Sequence, residues 1–413
     1  MQYRTDKATG NKLSALGLGC MRFPRDKAET ERMILAAIDG GVNFFDTAYI
    51  YPNSENTLGE ILAKHNRRKD IYLATKLPLM FCKKYEDFDR YFSEQLRRLK
   101  TDYIDYYFMH SMSDFKQWEF LKNLGIEKWI TEKKSSGQIR HIGFSYHGIH
   151  ENFIKILHDY PWEFCMIQYN YYDENYQAGK KGLQAAAEKG VSVLIMEPLL
   201  GGRLATGLPK RAVDLFNKAD RMAGSNRASL GSAAQSTETL LAQTLNRTPA
   251  DWAFWWLWNQ PEVTVVLSGM TSAIQMQSNM ASADKFRPLS ADELSTYTDV
   301  VKIFRESYKI NCTGCNYCLP CPKGINIPAL FSAYNTRYAQ GYVAGATMYY
   351  TSVAAMKQNP TSPHICNDCG KCEKICPQFI PIRSMLKKVG RRFEPLPVQL
   401  VLKAVRKMIA AKK

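Results

Sequence analysis

The sequence predicts an α/β protein, a closed (β/α)8 barrel of the TIM type followed by a smaller, mainly helical cysteine-rich domain. Eight short β-rich runs alternate with amphipathic helical stretches between about residues 13 and 285. Eight parallel βα units of this kind close on themselves. The first run leads into SALGLGCMRFP, which lacks the GxGxxG turn that an open doubly wound sheet normally carries there. The second domain announces itself through cysteine: eight of the eleven lie in Cys312–Cys321 and Cys366–Cys376.

In chain order the expected strands are SALGLGC (14–20), VNFFDTA (42–48), IYLATKL (71–77), YIDYYFMH (103–110), IRHIGFS (139–145), FCMIQYN (164–170), VSVLIME (191–197) and VTVVLSG (263–269). Each is short and rich in β-branched and aromatic residues. The stretches 29–41, 87–100 and 150–160 repeat apolar residues at helical spacing, and Gly40 and Gly41 supply a C-terminal stop for the first. Residues 222–238, MAGSNRASLGSAAQSTE, are small and polar and are expected as a mobile loop inserted in the seventh unit. Trp252, Phe254, Trp255, Trp256 and Trp258 follow, as packing residues of one helix. The expected domains are a barrel over 1–289, a linker helix over 290–310, the cysteine-rich domain over 311–380 and a basic amphipathic tail over 381–413. Residues 327–356, between the cysteine clusters, read as mainly helical.

Of the 413 residues 45% are hydrophobic and 23% charged, which excludes wholesale disorder. No apolar run approaches the roughly 18 residues of a membrane helix, and MQYRTDKATGNK has no secretory apolar core. A cytoplasmic protein without a transmembrane segment is therefore expected. The net charge is +16, of which the segment from Arg383 to Lys413 carries +9, ten bases against Glu394. The other 382 residues share +7, which disfavours a nucleic-acid-binding body. A basic tail suits an acidic redox protein of the ferredoxin or flavodoxin kind, an anionic membrane face, or simple packing on the barrel.

Asp46, Lys76 and His110 stand at or beside the C-terminal ends of the second, third and fourth strands, 30 and 34 residues apart. Those intervals are each one βα unit, so parallel strands deliver all three to the mouth where barrel enzymes work. Tyr51 lies five residues past Asp46, in the loop over that mouth. A free tyrosine, with a pKa of about 10, releases its proton reluctantly at neutral pH. A Lys76 ammonium stabilises the phenolate, Asp46 orients that ammonium, and His110 hydrogen-bonds a substrate oxygen. Taken singly, each has a structural explanation as a loop cap, a rim charge or a core imidazole. Their common register favours chemistry.

Over about residues 10–285 this arrangement resembles the aldo-keto reductase family, through the DTAxxY segment from Asp46 to Tyr51, the lysine of ATK (Lys76) and the histidine after YYFM (His110). The resemblance implies that these four form a catalytic tetrad and that hydride passes between NAD(P)H and a carbonyl or alcohol carbon. It implies further that Ser145 and Gln168 hold the nicotinamide carboxamide. Gly19, Cys20, Met21, Glu197, Leu199, Gly201, Ser268, Gly269, Met270, Thr271, Gln275 and Asn279 are the other implied cofactor contacts, with PLLGG (198–202) and SGMTSAIQMQSN (268–279) at the phosphates and adenosine. Three positions depart from the pattern. Tyr146 replaces the usual Asn, Met196 the usual stacking aromatic, and Gln275 the Arg common in NADP-preferring members. Losing a guanidinium removes the best bidentate phosphate partner, so NADH is expected to serve at least comparably to NADPH.

The first cysteine motif reads Cys312-x2-Cys315-x2-Cys318-x2-Cys321-Pro, and the second Cys366-x2-Cys369-x2-Cys372-x3-Cys376-Pro. Three thiolates at this spacing wrap one corner of a cubane, and the cysteine before proline ligates the other cluster. Crossing gives one [4Fe–4S] cluster on Cys312, Cys315, Cys318 and Cys376, and a second on Cys366, Cys369, Cys372 and Cys321. Zinc knuckles explain neither the triplets nor the paired Cys-Pro endings. Cys20, Cys82 and Cys165 fall outside the pattern and read as core residues, with Cys20 also a candidate for the cofactor mouth. The 44 residues between Cys321 and Cys366 make the domain look like the helical two-cluster ferredoxins of respiratory iron–sulfur subunits.

Barrel and clusters together resemble a class of bacterial and archaeal iron–sulfur aldo/keto reductases. That resemblance implies an electron-transfer oxidoreductase acting on a small carbonyl or alcohol substrate. Hydride carries two electrons and each cluster takes one; a flavin normally splits the pair, and no flavin motif is visible. Three readings stay open: the clusters carry electrons through a bound or partner flavin, act directly on substrate, or are structural, with electron transfer favoured. The alternative is a redox-sensing or docking subunit whose barrel binds nicotinamide without turnover, suggested by Tyr146 and Met196. With two oxidised clusters of about −2 each, the net charge becomes about +12.

Overall fold

All eight expected strands form, each within two residues of its expected ends. They are β3 (Leu16–Gly19), β4 (Phe44–Asp46), β5 (Tyr72–Leu77), β6 (Ile104–Met112), β7 (Ile139–Tyr146), β8 (Phe164–Gln168), β9 (Ser192–Met196) and β10 (Val263–Ser268). They close in the order β10-β3-β4-β5-β6-β7-β8-β9, every neighbour parallel. The barrel is thus confirmed in the computed structural model, which describes residues 1–230, 246–351 and 361–402. Phe44, Ala74, Tyr106, Phe108, Phe164, Met166, Leu194 and Val265 fill its interior, the packed core that a barrel of eight strands requires. Gly143 is needed where β7 and β8 meet, because a Cβ there would lie 2.3 Å from the Phe164 carbonyl oxygen.

A short antiparallel hairpin, β1 (Tyr3–Thr5) and β2 (Lys12–Ser14), precedes the barrel. Its loop residue Asp6 accepts hydrogen bonds from Tyr106 Oη at 2.7 Å and Ser192 Oγ at 2.6 Å. Leu13 joins the interior core. The hairpin thereby seals the N-terminal end of the barrel, opposite the mouth where the strands end.

The chain divides into two units, one formed by Met1–Leu199 with Ala250–Leu289 and the other by Leu200–Pro249 with Ser290–Lys413. Residues 200–249, expected with the barrel, thus group with the C-terminal region. The reason is a buried ion network. Arg247 Nε donates to Asp220 Oδ1 at 2.7 Å and its Nη2 to Glu293 Oε1 at 2.5 Å, with all three side chains at most 5% exposed. Phe216 also packs on Tyr297, ring centroids 5.6 Å apart. These contacts join the helices Lys210–Leu230 and Ala291–Ser307. The expected loop over 222–238 is corrected here: it is helical to Leu230, and the remainder lies outside the described residues. Its small residues do not break helices; Gly224 alone costs about 1 kcal/mol, which a long helix absorbs.

Between the cysteine motifs the helices Ile327–Gln340 and Tyr342–Tyr349 form as expected, and residues 352–360 lie outside the described part. The helix Ile382–Phe393 buries Ile382, Leu386, Val389 and Phe393 in a core with Ile325, Leu330, Phe331 and Tyr349. Residues 403–413 of the expected amphipathic tail are not described. Among the described residues no helix is long and apolar enough to cross a membrane.

Candidate active site and cysteine clusters

Strand ends bring Asp46, Tyr51, Lys76 and His110 together. Lys76, 1% exposed, places Nζ 2.7 Å from the Asp46 carboxylate, 2.8 Å from Thr47 O and 3.5 Å from Tyr51 Oη. Tyr51 and His110 meet edge to face with centroids 6.0 Å apart. Burial pushes the Asp46 carboxyl above the usual carboxylate range, opposed by the Lys76 ammonium. Burial, reinforced by Lys76 and His147, holds the His110 imidazole well below its ordinary pKa, so it is neutral at neutral pH.

The supports of this group were not legible beforehand. Gln95 Nε2 donates to the Lys76 carbonyl at 3.0 Å and to Glu55 Oε1 at 2.8 Å, in a buried network with Thr75. Ser54 Oγ donates to Cys20 O at 2.7 Å and pairs with Thr47 Oγ1 at 2.7 Å, fixing the loop between Asp46 and Tyr51. Strand β6 gains one residue against β7 between Met109 and Met112, and Ser111 takes a φ of 56°. A bulge of this kind re-aims the neighbouring side chain, here His110.

The Ser111 N–H donates to Ser145 Oγ at 2.8 Å. Gln168 Nε2 donates to Asp173 Oδ2 at 3.1 Å, and its Oε1 accepts from Gln177 at 3.3 Å. Gln177 Oε1 pairs with His147 Nδ1 at 3.2 Å; desolvation lowers that imidazole to about 4. Asp173, Gln177 and His147 had no signal in the sequence, because their meeting depends on loop conformation. Tyr146, in the place of the usual Asn, is fully buried and donates to Ile149 O at 2.5 Å, among the rings of Phe144 and Phe153. It turns into the helix layer. Met196 packs against the barrel core at the end of β9.

The helix Ala273–Lys285 begins with Ser272 as its cap. Ser268 Oγ accepts from Asn279 Nδ2 at 3.1 Å, and Gln275 Oε1 takes the Thr271 N–H at 2.8 Å. Glu29 Oε1 accepts the Ala273 N–H at 3.1 Å. Arg32 first, then that N–H, holds the Glu29 carboxyl below its usual range. A carboxylate therefore already occupies a first-turn donor that an anion would use. Thr271 and Gln275 are exposed, and Met270 is buried. Cys20 is fully buried, with its thiol toward Leu18 O at 3.6 Å. Burial, with the Asp46 carboxylate nearby, raises that thiol well above its ordinary pKa. Cys82 and Cys165 are likewise buried. Gly201 has a φ of 64°, and a Cβ on it would lie 1.9 Å from the Thr313 carbonyl oxygen. Its contact is thus with the first cysteine loop.

In the second unit, Cys312, Cys315, Cys318 and Cys376 line one apolar cavity with Ile327, Pro328, Phe331, Ile380 and Ile382. Cys321, Cys366 and Cys372 pack against the same hydrophobic core, and the Cys321 thiol is near enough to Cys372 to add to the upward push that burial exerts on it. Burial pushes Cys312 and Cys318 up to about 12. Both triplet loops share one backbone device: the residues flanking the middle cysteine are left-handed, Gly314 and Asn316 around Cys315, and Asp368 and Gly370 around Cys369. Such turns tighten a loop and make concavities suited to anions. Four cysteines lining one apolar cavity supply the ligand type and number that a [4Fe–4S] cluster uses.

The aldo/keto reductase family pattern matches residues 15–302, and a 4Fe-4S dicluster domain pattern matches 311–380. An uncharacterized oxidoreductase of Bacillus subtilis, YqkF, is 27% identical over 315 residues, 71% of this chain and 96% of that protein. Morphine 6-dehydrogenase of Pseudomonas putida is 36% identical over 138 residues, 32% of this chain and 43% of that enzyme. The holo form of an aldo-keto reductase from Bacillus halodurans shares the fold with a TM-score of 0.57 at 24% identity, covering 73% of this chain and 96% of that one. This chain belongs to the aldo/keto reductase family and is an oxidoreductase with a C-terminal 4Fe-4S dicluster domain.

Proposed function

We propose that the barrel interconverts a small carbonyl and its alcohol with NAD(P)H at Asp46, Tyr51, Lys76 and His110, and that two [4Fe–4S] clusters relay electrons. The observation that carries this reading is the buried Lys76 ammonium, held between Asp46 at 2.7 Å and Tyr51 Oη at 3.5 Å. That ammonium stabilises the phenolate, so Tyr51 gives its proton to the substrate oxygen and recovers it in reverse. Asp46 keeps the ammonium in place, and the neutral His110 holds the same oxygen by a hydrogen bond. A bound nicotinamide supplies or accepts the hydride, with Ser145 and Gln168 at its carboxamide and Ser268, Thr271 and Asn279 toward its far end. Glu29 and Gln275 occupy donors around Ala273 and Thr271, which supports NADH serving at least as well as NADPH.

The cavity lining supports Cys312, Cys315, Cys318 and Cys376 as ligands of one cluster, with Cys366, Cys369, Cys372 and Cys321 holding the other. A flavin, on this chain or on a partner, would convert hydride into single electrons. A cytoplasmic setting keeps the ligand thiols reduced. Steady-state NAD(P)H oxidation against a panel of carbonyls tests the barrel assignment. Loss of turnover in Tyr51→Phe with unchanged cofactor affinity supports it. Cofactor binding with no turnover on any carbonyl selects the sensing-subunit reading instead, for which the displaced Tyr146 side chain speaks.

A further inference from the structure

We infer that the face around the second cysteine motif is the docking surface for an acidic one-electron carrier protein, a reading that rests on the cluster assignment above. The two motifs differ in cover. The loop of the first is shielded by its own chain: Gly201 lies against the Thr313 backbone, and Thr313 is 3% exposed. In the second, Cys369 is the one exposed cysteine of the eleven. Ile365, Ile375 and Phe379 each lie within three residues of a ligand cysteine, and they are 46%, 49% and 55% exposed. Apolar side chains left in water beside a redox centre form the desolvated middle of a transient interface.

The charge around them has one sign. From Asp368 to Phe393 there are seven bases, Lys371, Lys374, Arg383, Lys387, Lys388, Arg391 and Arg392, against two acids. Both acids are already paired, Asp368 with Lys387 at 3.0 Å and Glu373 with Arg383 at 2.7 Å. Lys371 and Lys374 are exposed on the segment between Cys369 and Cys376. A positive rim around an apolar centre steers an acidic partner and brings it to the cluster edge, with a rate that falls as salt rises. A cluster held by Cys366, Cys369, Cys372 and Cys321 would supply one electron per encounter, the carrier being reduced as the cluster is oxidised.

The test uses anaerobically purified, dithionite-reduced holoprotein mixed by stopped flow with an oxidised acidic plant-type ferredoxin across a range of NaCl concentrations. Lys371→Glu with Lys374→Glu is expected to slow the second-order rate at least tenfold at low salt and to flatten its salt dependence. Lys128→Glu with Lys155→Glu, the same charge change on the barrel surface, is expected to change it less than twofold. Iron content and the EPR spectrum of every sample are read alongside. An unchanged rate with both clusters loaded, or an equal loss in the two double variants, overturns the docking face while leaving the clusters standing. Absence of iron overturns the cluster assignment itself. Capture of the holoprotein by phosphatidylglycerol vesicles, abolished by the same Lys371 and Lys374 changes, would assign the face to a membrane instead.

Discussion

Replacing Lys76 by Met removes the charge at the centre of the candidate active site while keeping most of the buried volume. At 2.7 Å from the Asp46 carboxylate, and with an effective dielectric constant of about 20, the lost attraction is about 6 kcal/mol. Desolvation of both ions offsets part of that in the intact pair. Removing one partner and leaving the other charged in the interior typically costs about 3–5 kcal/mol. Lys76→Met is therefore expected to lose about that much in urea unfolding followed at pH 8. Without the ammonium, burial raises the Asp46 carboxyl further, so the folded variant binds a proton that the unfolded chain releases. Stability of the variant then recovers as pH falls through that raised pKa, the opposite of a depressed carboxylate. Asp46→Leu combined with Lys76→Met leaves no lone charge and is expected to regain most of the loss. A Lys76→Met protein as stable as the parent at pH 8, or one insensitive to pH between 8 and 5, would refute the buried-pair reasoning.

Other consequences follow from the same structure. Glu29→Ala with Gln275→Arg frees the Ala273 and Thr271 N–H groups and adds a bidentate phosphate partner, and should shift affinity toward NADPH over NADH about tenfold, or about 1.4 kcal/mol. A fluorescence titration in which the parent already binds NADPH far more tightly would contradict the premise. Crossed ligation predicts that Cys376→Ser abolishes the same EPR signal as Cys315→Ser, and not the one lost in Cys369→Ser. His147 is lowered to about 4, and His110 is also depressed. The unfolded chain therefore takes up protons below about 6.5 that the folded chain refuses. Stability should fall as pH drops from 6.5 toward 4, with a shallower fall in His147→Gln; equal slopes would count against it.

The barrel strands were legible because a strand buried on both faces reads as a short apolar run, and each ended beside a turn. The meeting of Asp46, Tyr51, Lys76 and His110 was legible because three of them stand at or beside strand ends one βα unit apart, with Tyr51 in the loop that follows the first. The hairpin Tyr3–Thr5 and Lys12–Ser14 was not, since three-residue strands with polar side chains carry no periodicity. Residues 222–230 misled because small polar residues read as loop, although most of them are compatible with helix. The contacts of Glu29 with Ala273 and of Gly201 with Thr313 were not legible because they span 244 and 112 residues of chain. No local pattern reports such a meeting. The grouping of residues 200–249 with the C-terminal unit likewise involves long-range meetings, Arg247 with Asp220 and Glu293 and Phe216 with Tyr297.

Nicotinamide chemistry in the barrel and the clusters are proposed to belong to one electron path. Anaerobic purification with iron, sulfide and flavin analysis, followed by EPR before and after addition of NADH, tests it most directly. About eight irons per chain and a reduced-cluster signal that appears with NADH are expected. Zinc in place of iron, or fully loaded clusters that stay oxidised with NADH and any flavin supplied, would contradict it.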